Sequence, residues 1–117
     1  MRKSDFDGAA VDGAHPLIGT WVESKDPIYT TPVVYRISAR AGQFCVAGLD
    51  ESDGVSLRVS DVSWDGKKLR FTTVFPPTSH KATHEFWMTG KGLARHQTRY
   101  SDEDGAHNVL EFWKKRT

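Results

Sequence analysis

Cysteine occurs once in this chain, at Cys45, so no internal disulfide can staple the fold. An excess of either charge is also missing. The 16 Lys and Arg are balanced by 15 Asp and Glu, which gives no ground for binding nucleic acid, an anionic membrane or an acidic partner. No window approaches the roughly 20 apolar residues of a membrane span, so a hydrophobic ligand is expected to arrive from solution or from a partner. The start Met1-Arg2-Lys3-Ser4-Asp5 lacks the apolar stretch of a secretory signal, and the expected location is cytoplasmic. Amphipathic helical periodicity is absent as well; only Asp26-Pro27-Ile28-Tyr29 suits a single 3₁₀ turn. Nothing in the sequence places positive charge beside Cys45, which reads as a small buried or half-buried residue rather than a nucleophile.

What is present is a succession of short alternating segments. At 117 residues the chain fits one domain around one core. Residues 1–14, with Asp5, Asp7, Gly8, Asp12 and Gly13 around isolated Phe6 and Val11, read as a loose tail, and residues 15–117 as the folded domain. From Leu17 onward, stretches rich in Val, Thr, Tyr, Phe and Trp are separated by Gly, Asp, Ser and Pro clusters. The pattern predicts eight strands, at about 17–24, 33–39, 43–50, 55–63, 67–75, 81–89, 93–101 and 107–116. Short linkers make consecutive strands antiparallel neighbours. The expected fold is therefore all-β, an eight-stranded antiparallel up-and-down barrel whose closure removes both sheet edges.

The turns predict which residues face one another. A three-residue loop at Trp64-Asp65-Gly66 pairs Ser63 with Lys67 and sets Asp61 opposite Leu69, inside, with Leu57, Val59, Phe71, Thr73 and Phe75. The same loop type at Gly90-Lys91-Gly92 pairs Thr89 with Leu93, which puts Met88, Phe86 and His84 on one face with Ala94, His96 and Thr98. The hairpin at Ala41-Gly42 sets Tyr35 and Ile37 inward beside Val46 and Gly48. Alternation from Trp21 brings Glu23 to the interior.

Gly19-Thr20-Trp21, at the head of the first of eight such strands, resembles the opening of the calycin superfamily of lipocalins, fatty-acid-binding proteins and avidins. The resemblance is to its small bacterial lipocalin-like and avidin-like members. It implies a barrel sealed at one end by the tryptophan, with a basic residue of the last strand, Lys114 or Arg116, packed across the ring. Lipocalin cysteines and the helical pair of fatty-acid-binding proteins are not found. The biotin-contacting set of avidins does not match either, so biotin is not carried over.

A barrel of this size holds a small, partly apolar molecule among apolar walls with a few orienting polar groups. The expected lining is Tyr35, Phe71, Thr73, Phe86, Met88, Thr98 and Tyr100. A second expectation is a cofactor-independent isomerase, cyclase or lyase. In it His84 and His96, neutral imidazoles able to shuttle a proton, are charged or oriented by Asp61 or Glu23. A third is a packed-core interaction domain without a ligand. No metal or cofactor is expected: His80 and His84 are four apart in a strand rather than on a helix, and nothing selects His84, His96 or His107 as a haem ligand. Trp64, at a turn, and Trp87, on an outward face, are expected to cover a loop, rim the pocket or form a homodimer contact. Pro76-Pro77-Thr78-Ser79 is a candidate rim element.

Overall fold

Eight strands are present in a computed structural model that describes residues 15–23 and 33–116. They are β1 (Gly19–Glu23), β2 (Val33–Arg40), β3 (Gln43–Asp50), β4 (Val55–Trp64), β5 (Leu69–Phe75), β6 (His80–Gly90), β7 (Leu93–Asp102) and β8 (Gly105–Lys115). Each pairs antiparallel with the next, and β1 pairs with β8 to close the barrel. The expected tail over residues 1–14 and the turn at Asp26–Tyr29 lie outside the described residues. Among the described residues no helix is long and apolar enough to cross a membrane.

The hairpins show why the chain closes in this register. Ala41 and Gly42 both take positive φ (53° and 76°), the condition for a two-residue turn whose twist suits the flanking strands. Tyr35 then faces Gly48 and Ile37 faces Val46. A Cβ on Gly48 would stand 2.8 Å from Leu57 Cδ1 and 3.1 Å from Tyr35 Cε1, so the glycine makes room for the tyrosine ring across β3. The turn between β6 and β7 is Lys91-Gly92, joining Gly90 to Leu93, one residue tighter than expected; an irregularity at Thr89 absorbs the difference. From Met88↔Ala94 onward the pairing runs through Phe86↔His96 and His84↔Thr98, so both histidines share the inner face.

The hairpin between β4 and β5 departs from expectation. Its loop has four residues, tied by Asp65 Oδ1, which accepts from the backbone N–H groups of Lys67 (2.8 Å) and Lys68 (2.7 Å). Trp64 therefore pairs with Leu69. A bulge between Ser60 and Ser63 then sets Asp61 and Val62 against a single partner residue, so Val59 keeps its inward parity but lies opposite Thr73 rather than Phe71. Asp61, at φ 54°, is exposed rather than internal, and Val62 takes the inward place. Cys45, expected to be buried or half-buried, is exposed, because β3 turns Phe44 and Val46 inward and the residue between them out.

One end of the barrel is filled. Leu17, Trp21, Leu69 and Phe86 are wholly buried and Ile37 nearly so. The Trp21 indole N–H donates to the Leu17 carbonyl at 2.8 Å. Trp64, expected at an exposed turn, packs here between His15 (ring centroids 5.3 Å) and Phe44 (5.1 Å). Trp87 does face outward, beneath the Lys68 ammonium 4.7 Å from its ring. The basic residue across Trp21 is Lys115, whose Nζ lies 5.5 Å from the ring and donates to the Pro16 carbonyl at 2.6 Å. Lys114, one residue out of phase with inward Trp113, is exposed, and Arg116 instead forms a bidentate pair with Glu51. Gly19 has a specific task beneath this plug. At φ 146° it avoids strain that a side chain would meet, and a Cβ there would stand 3.0 Å from the Lys115 stem.

Candidate functional site

Above the filled end the barrel opens into a cavity of about 470 Å³, within the range of small-molecule sites. Successive inward positions build its floor and walls. Trp113 and Tyr35 lie at the floor with His84 and His96; Thr73, Ala82, Thr98 and Glu111 stand beside and above them. Asp50, Phe75, Thr78, His80, Tyr100 and Val109 reach toward the mouth. The expected rim segment contributes through Thr78, in the turn between β5 and β6.

The two histidines are joined. His84 Nδ1 lies 2.8 Å from His96 Nε2, and the rings are nearly coplanar, 13° apart with centroids 5.0 Å distant, as an in-plane imidazole–imidazole hydrogen bond requires. His84 Nε2 lies 2.7 Å from Thr73 Oγ1. Thr98 Oγ1 approaches the junction at 3.2 Å from His96 Nε2. At the other end His96 Nδ1 faces Glu111 Oε1 at 3.5 Å without hydrogen-bond alignment. Packing holds this row in place: Phe71 stacks on His84 at 4.7 Å and 12°, while Trp113 meets His96 edge-on at 4.9 Å.

Burial sets the charge state. His84 is driven well below the ordinary imidazole value of 6.5 by desolvation first and by its imidazole neighbour second. His96 is driven down by desolvation, against an upward pull from the Glu23 carboxylate. Both rings are therefore neutral near pH 7, each with one N–H and one lone pair. A carboxylate repels a lone pair, so Glu111 favours the tautomer of His96 with hydrogen on Nδ1. His96 Nε2 then accepts from His84 Nδ1–H, and His84 Nε2 accepts from the Thr73 hydroxyl. The row joins a cavity hydroxyl to two neutral imidazoles, with the Glu111 carboxylate facing its far end. Tyr35 is kept a phenol, its pKa raised by burial first and by the Glu111 charge second, and it presents a donor to the cavity.

Of the residues the sequence nominates, Tyr35, Thr73, His84, His96, Thr98 and Tyr100 line the cavity. Phe71, Phe86 and Met88 face inward but lie beneath it, as support: Phe86 is wholly buried between Trp21 (5.1 Å) and His96 (5.7 Å), and Met88 packs against the core. Glu23 is buried opposite Trp113 and acts on His96 through its charge. Asp61 cannot join the histidines, since the bulge turns it to the surface. The carboxylate that faces His96 Nδ1 is Glu111, which the sequence reading missed. Its signal was present: a two-residue turn at Glu103-Asp104 pairs Asp102 with Gly105 and carries the register to His96↔Glu111. Glu111 Oε1 also accepts the Trp113 indole N–H at 3.2 Å. No group of three or more His, Cys, Asp or Glu that could hold a metal ion occurs among the described residues.

No family model matches this chain, and no curated protein matches it in sequence, so the chemistry of the cavity carries the functional argument.

Proposed function

We propose that this protein binds a small, partly apolar molecule in the open half of the barrel, in the manner of the calycin-like binding proteins its Gly19-Thr20-Trp21 opening resembles. The observation that carries the reading is the cavity, where Leu57, Val33, Phe75, Val109 and Trp113 supply apolar wall and Tyr35, Thr73 and Thr98 supply a few hydroxyls. An unfilled interior of this kind forfeits packing contacts that a purely structural barrel would make. The test is titration with the neutral fluorescent probe N-phenyl-1-naphthylamine. Saturable one-to-one binding is expected, and it should be lost in Ala82→Trp, which fills the cavity from β6. Absence of saturable binding, or equal binding by a folded Ala82→Trp variant, overturns the reading.

One observation favours a second reading, a cofactor-independent acid–base enzyme: the hydrogen-bonded row from His96 through His84 to Thr73, with the Glu111 carboxylate 3.5 Å from its far end. Neutral imidazoles in series can pass a proton between a bound molecule and a carboxylate. Variants His84→Gln and His96→Gln separate the two readings. Turnover lost with ligand affinity held within a few-fold belongs to an enzyme, whereas affinity lost in step belongs to a carrier.

A further inference from the structure

Among the described residues, the permanently charged groups at the cavity are of one sign. Glu111 lines its wall and Asp50 its mouth, with Glu23 buried close enough to act on His96. Among the described residues no lysine or arginine lines the cavity or forms an ion pair with Glu111. His84 and His96 beside Glu111 supply no positive charge, because burial keeps them neutral, and the remaining lining histidine, His80, stands out at the mouth. Glu111 is mostly withdrawn from water, with 18% of its side chain exposed, and among the described residues it receives the Trp113 indole N–H and the poorly aligned His96 contact. A carboxylate so placed favours a cationic partner over a neutral one and repels an anion.

A second observation converges on the same spot. His96 Nδ1 is the buried side-chain atom left without a hydrogen-bond partner among the described residues, and it faces the Glu111 carboxylate. An N–H-rich cation seated against Glu111 would give the carboxylate the donor that His96 is too poorly aligned to supply. Aromatic faces complete the setting, since Tyr35 and Trp113 lie side by side at the floor (5.4 Å) and attract a cation through their quadrupoles. Among the described residues no third metal-ligating side chain stands beside His96 and Glu111, which favours an organic cation as the occupant.

We infer that the ligand is an organic ammonium, a protonated amine on a small apolar body, with its nitrogen at Glu111 and its body against the cavity wall. The inference rests on the cavity-binding reading and names the chemical class of its ligand. Three probes of one skeleton test it by calorimetry at pH 7: phenethylamine, 2-phenylethanol and phenylacetate. The ammonium is expected to bind about tenfold or more tighter than the alcohol, with the carboxylate weakest. Glu111→Gln should bring the ammonium down to about the level of the alcohol in the same variant, abolishing the preference. Asp50→Asn, at the mouth, should lower ammonium affinity less. If the alcohol or the acid binds as tightly as the amine, or if Glu111→Gln leaves the preference intact, the ammonium assignment falls. The wild-type series decides the matter even if Glu111→Gln does not fold. Binding of 2-phenylethanol without preference for the amine overturns the ligand class alone. Failure of all three probes, together with N-phenyl-1-naphthylamine, overturns the binding site itself.

Discussion

The two halves of this barrel use aromatic residues for different ends. At the closed end Trp21, Phe86, Leu69, Leu17 and Ile37 are at most 1% exposed and bring no unpaired polar group, the indole N–H of Trp21 being satisfied by Leu17. At the open end Tyr35, Phe71 and Trp113 surround buried polar groups, His84, His96 and Thr73, and stop short of filling the space. The first arrangement gains from burial of apolar surface and close contact. The second gives up part of that gain and must satisfy every polar atom it hides. Stability therefore resides mainly in the plug, and chemistry in the half above it.

The sharpest way to break this division is Trp21→Ala. Removing the wholly buried plug is expected to cost about 3–5 kcal/mol, read as a fall in chemical-denaturation midpoint. Both halves should be lost together, as a single barrel demands. Loss of the open half alone would show that the halves fold independently.

Acid should attack the opposite half. His84 and His96 are held below 6.5 when folded, so the unfolded chain binds more protons as pH falls beneath that value. Their contribution is complete above pH 6.5 and is lost as pH drops toward the depressed folded values. The loss should reach the order of a few kcal/mol. Thermal melts between about pH 7 and pH 5 isolate it from most carboxylate titration. A flat profile in that window would mean that the imidazoles are not buried as described.

Single and double replacements of the histidines sharpen the comparison further. His84→Phe leaves His96 and Thr73 without their partner, and about 1–3 kcal/mol should be lost. His84→Phe with His96→Leu removes both ends of the central hydrogen bond and should recover part of that loss while ligand binding stays impaired. Recovery of stability without binding would mark the pair as kept for its chemistry. At the plug, Gly19→Ala meets both a positive φ and the Lys115 stem, and about 1 kcal/mol or more should be lost. Arg116→Ala, which removes the exposed pair with Glu51, should leave the melting temperature unchanged within error.

Much of this was legible in the chain, and the exceptions have a common cause. The strand pattern and the turns at Ala41-Gly42 and Lys91-Gly92 fix which residues of adjoining strands share a face, and that placed Tyr35, His84, His96 and Thr98 together inside. A one-residue error at Gly90 was harmless because the irregularity at Thr89 cancelled it. At Asp61 no such cancellation occurred. The loop after Trp64 is longer than expected, and the bulge that restores the register lies within the strand, where alternating sequence gives no mark of it.

Sequence by itself determined the all-β class, the order of eight strands and the placing of His84 and His96 on one inner face, because alternation and short turns act between neighbours in the chain. Tertiary closure decided the rest. The seam between β1 and β8 chose Lys115, not Lys114 or Arg116, to lie across Trp21, and the last hairpin brought Glu111 to His96 in place of Asp61. The first choice depends on the parity of strands that meet only when the barrel shuts; in the second, one added residue in the β4 bulge turns Asp61 away from the cavity.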